Sequence, residues 1–164
     1  MDYKIFRLNK IKKQIQQLEL NIVDADLHRP WGGFFRIDEA DTPQFIDHFF
    51  PELKNQLANS SEKLSPKILC VAPRKQLSWQ YHDRRSEFWK LLSGKAYFKI
   101  STHDHETEAQ LLQPNAILHI PQGQRHRLIG SHIWAFIAEI WQHTDPDHPS
   151  DEADIIRLQD EYGR

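Results

Sequence analysis

From Lys67 to Trp141 the chain breaks into runs too short for ordinary helices, separated by turn residues, and this constrains its fold most. Ile68–Ala72 is an apolar run stopped by Pro73. Leu77–His82 alternates, which sets Gln80 and His82 on one face of a strand and Trp79 and Tyr81 on the other. Glu87–Leu92 and Lys95–Ser101 flank the hairpin signal Ser93-Gly94, and His103–Glu106 reads as the next turn. Shorter runs follow at Ala109–Leu112, Ala116–Ile120, Arg125–Ile129 and Ile133–Trp141. Strands at this spacing predict an all-β antiparallel barrel or sandwich.

The preceding third has a different period. Ile5, Leu8, Ile11, Ile15 and Leu18 recur at three- and four-residue steps, which predicts a helix over residues 3–20. A second helical piece is expected from Pro43, with Asp41 or Thr42 as N-cap and Phe45, Ile46, Phe49 and Phe50 as its apolar face. Pro51 should limit it, and Asn59–Lys63 reads as an exposed loop.

At 164 residues the chain is expected to form about one domain. A formal net charge of -2 argues against a nucleic-acid partner. No apolar run approaches the roughly 18 residues of a membrane span, and no signal segment precedes a small-residue cleavage site. Cys70 is the only cysteine, so neither a disulfide nor a thiolate cluster is available within the chain. These features predict a cytoplasmic protein with no membrane partner.

The residues most suited to chemistry lie in two stretches, Gln80–Glu87 and Pro121–His126. Gln80 and His82 project together, Glu87 follows after a turn, and Pro121-x-Gly123 can bring His126 back across the sheet. Two imidazoles, an amide oxygen and one carboxylate would hold a divalent metal and leave it net positive, a good Lewis acid with room for a substrate oxygen. His119 alternates with Leu118 and Ile120 and is a candidate to face the barrel lumen. His132, His143 and His148 read as loop or surface residues, and the His103–His105 turn as a solvated hairpin.

These stretches resemble the cupin signature. Gln80, His82, Glu87 and Gly94 fit its first motif, and Pro121, Gly123 and His126 its second. More narrowly, Arg29-Pro30-Trp31-Gly32, Leu77–His82, Glu87-Phe88-Trp89, Ile120–Leu128 and the terminal Asp154–Arg164 are similar to type II mannose-6-phosphate isomerases. Those are cupin domains often fused behind a mannose-1-phosphate guanylyltransferase.

The resemblance implies a double-stranded β-helix, or jelly-roll barrel, over residues 28–164. An N-terminal helical arm would occupy 1–27 and a helical insertion about 41–64. It implies Gln80, His82, Glu87 and His126 as metal ligands, with zinc the leading ion and manganese, iron or nickel as alternatives. The implied reaction interconverts mannose 6-phosphate and fructose 6-phosphate through an enediolate; a non-catalytic sugar or sugar-phosphate binding cupin is the alternative. Glu139 matches a late-strand Glu of the family and is the candidate base, with an ion pair as its competing role. Arg29, Arg127, Arg157 and Arg164 are the candidate phosphate donors, and Arg164 is also a catalytic candidate. Asp83 and Arg84 stand where the family tends to have two further His, and Phe88 where a His often follows the Glu. The insertion is free on this reading to cap the barrel mouth, reshape substrate choice or form a dimer contact, and a homodimer is the expected assembly.

Overall fold

The computed structural model describes residues 2–164, so Met1, the first residue of the expected arm, lies outside the described residues. In chain order the strands are β1 (Ile22–Asp26), β2 (Gly32–Ile37), β3 (Leu64–Val71), β4 (Trp79–Tyr81), β5 (Arg85–Ser93) and β6 (Ala96–Ser101). They continue with β7 (Gln110–Leu111), β8 (Ile117–Ile120), β9 (Arg125–Gly130), β10 (Ala135–His143) and β11 (Ile156–Gln159). Helices are α1 (Tyr3–Gln17), α2 (Thr42–Phe49) and α3 (Lys54–Ala58).

The strands form two antiparallel sheets, ordered β1-β2-β3-β10-β5-β8 and β11-β4-β9-β6-β7. Strands adjacent in sequence often sit in opposite sheets, as in a jelly roll. The turns hold where glycine is placed for them. Gly94 has φ +85°, and a Cβ there would fall 2.0 Å from the Trp134 carbonyl oxygen. Gly123 has φ +78°, and its N–H donates to His82 O at 2.8 Å, tying the two motif stretches together.

The six-stranded sheet is buried on both faces, and period-2 alternation sorts its side chains. Phe136, Ala138 and Ile140 of β10, Ile68 and Cys70 of β3 and Phe88 of β5 face outward into one apolar cluster. Ala135 and Ile137, Leu69 and Val71, and Trp89 and Leu91 face inward into a second cluster between the sheets. An apolar outer face needs cover, and the helices supply it: Leu8 and Ile15 of α1, Phe45 and Ile46 of α2 and Leu57 of α3 join the outer cluster.

The insertion therefore packs on the outside of the barrel and does not cap its mouth. Phe45 lies edge-on to Phe49 with ring centroids 4.9 Å apart. Asp41 holds the N-cap position of α2 without a side-chain cap bond; its Oδ2 accepts from Asn21 N at 2.7 Å.

Three strands go beyond the sequence reading. The 1–27 segment is not helical throughout, because α1 ends at Gln17 and β1 joins the sheet by pairing with β2. β2 and β11 were likewise not expected from the pattern; β2 reads Gly-Gly-Phe-Phe-Arg-Ile, without alternation, because its apolar residues serve both clusters. His119 is exposed and stacks on Phe88, ring centroids 4.6 Å apart, so it faces away from the lumen.

Candidate metal centre

The site lies between the two sheets, where β4, β5 and β9 meet. Gln80 sits on β4 in register with His126 on β9, so both face inward. His82 follows the end of β4, and Glu87 is the third residue of β5. One ligand atom each from His82, Glu87 and His126 falls within 4.8 Å of the others, and all three residues are buried. His82 Nε2 is 3.2 Å from His126 Nε2 and 3.1 Å from Glu87 Oε1, and His126 Nε2 is 3.5 Å from Glu87 Oε2. Gln80 lines the same cavity, and its Oε1 accepts from Ser78 Oγ at 2.5 Å.

The imidazoles are held with their Nε2 atoms toward the centre. His82 Nδ1 lies 3.0 Å from the Asp154 carbonyl oxygen and His126 Nδ1 lies 2.8 Å from that of Gln124. A carbonyl only accepts, so each Nδ1 carries the proton and each Nε2 presents a lone pair inward. Burial, with His82 alongside, draws His126 down to about 4, so it is neutral at pH 7. Burial alone would raise the Glu87 carboxyl; His82, when protonated in acid, and the Arg85 guanidinium outweigh it and hold Glu87 well below the usual carboxylate range, and Arg85 remains as the countercharge when the imidazoles are neutral. Two inward lone pairs and an ionised carboxylate, each imidazole anchored through its other nitrogen, fit a divalent cation.

Arg85 is the functional residue that sequence reasoning missed. Its Nε donates to Glu87 Oε1 at 2.8 Å and its Nη2 to His82 Nε2 at 3.1 Å, while its guanidinium lies 3.6 Å over the Trp141 ring. The signal was available: Arg85, Glu87 and Trp89 are spaced by two on β5 and so share the face that carries the ligand. Trp89 Nε1 donates to both Glu87 Oε2 at 3.1 Å and Glu139 Oε1 at 3.0 Å.

Glu139, opposite Trp89 in the β10–β5 register, is buried. No carboxylate–cation contact within 4 Å involves it among the described residues, so the ion-pair role does not hold. Burial, reinforced by the charge on Glu87, pushes it up to about 8 against the pull of Lys67 and Arg85.

The candidate phosphate donors separate. Arg29, Arg157 and Arg164 line the cavity with Gln80, Glu87 and Glu139. Arg29 Nε is 2.8 Å from Asp26 Oδ2, and Arg164 donates through Nε and Nη2 to Asp160 at 3.0 Å each. Arg157 has no carboxylate within 4 Å among the described residues, and its buried Nε lacks a partner. Arg127 does not join them. It neighbours the inward-facing His126 on β9, so it projects to the other face, where it donates to Glu106 at 2.7 Å and to the Gln159 carbonyl at 3.0 Å. His143 also departs from expectation: it is buried, its Nδ1 accepting from Ser150 N at 2.9 Å and its Nε2 donating to Ser65 Oγ at 2.8 Å.

Two antiparallel sheets enclosing a His–Glu–His cluster define a cupin barrel. Bacillus subtilis oxalate decarboxylase OxdC (the SENS161-164DSSN mutant) superposes with a TM-score of 0.57 at 14% identity, over 82% of this chain and 30% of its own. The capsular polysaccharide assembling protein CapF from Staphylococcus aureus gives 0.53 at 16% identity, over 86% of this chain and 32% of its own. These likenesses establish the fold.

Within the cupins, residues 47–160 match the family described as mannose-6-phosphate isomerase C-terminal, and the chain belongs to that family. Similar curated proteins include mannose-1-phosphate guanylyltransferases of Salmonella montevideo, 24% identical over 159 residues, and of Escherichia coli K12, 26% identical over 160. The xanthan biosynthesis protein XanB of Xanthomonas campestris pv. campestris is 26% identical over 163 residues. Each alignment covers at least 94% of this chain but at most 29% of the relative, so the chain spans under a third of their length. No helix among the described residues is long and apolar enough to cross a membrane.

Proposed function

We propose that the chain is a metal-dependent sugar-phosphate isomerase that interconverts mannose 6-phosphate and fructose 6-phosphate. The observation that carries this reading is one cavity holding two carboxyl groups pushed in opposite directions and joined by a single donor. Glu87 is held ionised, Glu139 is raised to about 8, and Trp89 Nε1 bonds to both. Such a pair separates a cation-binding carboxylate from a proton-transfer group.

His82, Glu87 and His126, with Gln80 beside them, would hold the cation, for which zinc is the leading expectation. When bound, it supplies Lewis-acid stabilisation of negative charge on the substrate oxygens. Ionised Glu139 takes the proton from C2 of the open-chain aldose, and the released pair forms the C1–C2 double bond while charge moves to O1. The same proton is returned to C1 while the O2 proton passes to O1, so the carbonyl re-forms at C2 and O1 ends as a hydroxyl, with no net oxidation. A pKa near the working pH suits a group that must both accept and return a proton. Arg157 lines the same cavity without a carboxylate partner and adds positive charge on the approach of an anionic substrate.

A second reading is a non-catalytic sugar-phosphate binding cupin. Arg85 favours it, because its guanidinium already neutralises Glu87 and bonds to His82 Nε2. A coupled isomerase assay on protein stripped with chelator and reloaded with zinc, manganese, iron or nickel separates the two. Turnover restored by one ion supports the isomerase. Full turnover in metal-free protein would remove the metal-dependent mechanism, and sugar-phosphate binding without turnover under any ion would establish the second reading.

A further inference from the structure

Beside the lumen lies a side groove walled by the ends of β2, β3 and β10 and by the 150–152 segment. The lumen cavity measures about 50 Å³, room for a few waters, whereas the groove measures about 570 Å³. Ligand pockets run to roughly 300–1,000 Å³, so the groove has the room for the body of a hexose phosphate. Lys67, Trp141 and Glu152 line both spaces and so form the wall between them.

That wall carries one donor without an acceptor and one with a single weak acceptor. Trp141 is 8% exposed and its buried indole N–H has no hydrogen-bond partner among the described residues. Lys67 is 5% exposed; its Nζ lies 3.9 Å from the centre of the Trp141 ring and 4.5 Å from that of Phe34. Its one ionic partner is Glu152, at 3.4 Å on the exposed rim. A buried ammonium with a single distant carboxylate, beside an orphaned N–H, is costly unless an acceptor completes it.

The acids around the groove are otherwise engaged. Glu39 pairs with Lys63 at 3.3 Å, Asp151 with Arg84 at 3.2 Å, and Asp38 accepts from Ala40 N at 3.0 Å. Glu139, across the strand pair from Lys67, accepts from Trp89 Nε1 at 3.0 Å. An entering oxyanion thus meets one orphaned N–H, one ammonium held only by Glu152 at 3.4 Å, and no unpaired carboxylate on this wall.

We propose that Lys67 and the Trp141 indole N–H form an oxyanion subsite at the junction of groove and lumen. It takes the phosphate of the substrate, while the reactive end reaches the His82–Glu87–His126 cluster. The assignment rests on the sugar-phosphate reading above and adds a route through the groove and two residues that the family resemblance does not supply.

Calorimetric binding to the metal-loaded protein tests this, with inorganic phosphate, mannose 6-phosphate and unphosphorylated mannose as probes. Trp141→Phe keeps the ring under both cations and deletes only the N–H; Lys67→Met keeps the stem and deletes the charge. The expected result is a roughly tenfold loss of mannose 6-phosphate and phosphate affinity for Trp141→Phe, and a larger loss for Lys67→Met. Mannose binding and metal content should not change. Wild-type affinity for both phosphate probes in both variants would overturn the subsite, as would loss confined to Arg157→Gln or absence of phosphate binding by the wild-type protein. If the wild-type protein binds phosphate through these residues but shows no turnover, the subsite stands and the isomerase reading falls. Turnover with unaffected variants has the opposite meaning.

Discussion

The two faces of β10 are made from alternate residues of one strand and serve different ends. Outward, Phe136, Ala138 and Ile140 pack under the helices; inward, Ile137 gives way to Glu139 and then Trp141 at the lumen. The outer face is apolar along its length and covered by a layer of Phe and Leu side chains. The inner face turns polar toward one end, where Glu139 has an altered proton affinity and the neighbouring Lys67 and Arg85 pair with Glu152 and Glu87. Stability is concentrated on the first face and chemistry on the second, and substitutions on each should be separable.

The strongest way to break that separation is His126→Ala. It should abolish bound metal and bring isomerase activity to background, a larger loss than the ~10–100-fold typical of an outer-shell partner, while thermal unfolding stays cooperative. Metal content by elemental analysis checks it. If the variant keeps both ion and activity, the cluster is not the metal centre.

Glu139→Gln comes next, with a rate loss on the order of 10²–10⁴ and metal content unchanged. Because only ionised Glu139 accepts the proton, kcat/KM of the metal-loaded wild type should rise with pH through the Glu139 pKa and level off above it, with a midpoint below the value of about 8 in the metal-free protein. A cation beside Glu87 offsets the charge that raises Glu139, so the rising limb moves lower as metal is loaded. An unchanged profile in Glu139→Gln would remove Glu139 from the proton transfer.

On the outer face Phe50 is fully buried against Phe45. Phe50→Ala should cost about 3–5 kcal/mol of stability and leave metal content per folded molecule as in the wild type. Denaturant unfolding alongside metal analysis reads both; metal lost in proportion to stability would show that the faces are coupled.

The smallest effect is at His143, which burial holds near 4 against an ordinary value of 6.5. Between those pH values the unfolded chain binds a proton there and the folded one does not, so stability rises with pH across that window. His143→Gln should flatten part of the rise, His126 supplying a second part in the same sense. Unfolding curves at pH 4.5 and 6.5 measure it, and an undiminished slope would show that His143 is protonated in the fold.

Much of the centre was legible because β-strand geometry is local. Alternation alone places Gln80 with His82, and Arg85 with Glu87 and Trp89, whatever the rest of the chain does. Helices α1 and α2 were legible from their apolar period and from Pro43. β1, β2 and β11 were not: β1 and β11 are short, at five and four residues, and β2 is buried on both faces and so lacks a period-2 signal. Arg127 misled because adjacency to His126 in sequence means opposition across a strand. His143 misled because its burial comes from Ser65 and Ser150, residues distant along the chain or beyond a turn.

By itself, then, the sequence determined which residues share a strand face, where the turns fall, and that two motif stretches carry metal-binding chemistry. Only the tertiary structure decided that the helices shield the outer sheet face and that Arg85 enters the centre. It alone decided that Arg127 leaves the cavity, that Glu139 is pushed up toward 8, and that Lys67 meets Trp141 between groove and lumen. The reason is physical: facing along a strand follows from local covalent geometry, whereas desolvation and through-space charge depend on residues that only folding brings together.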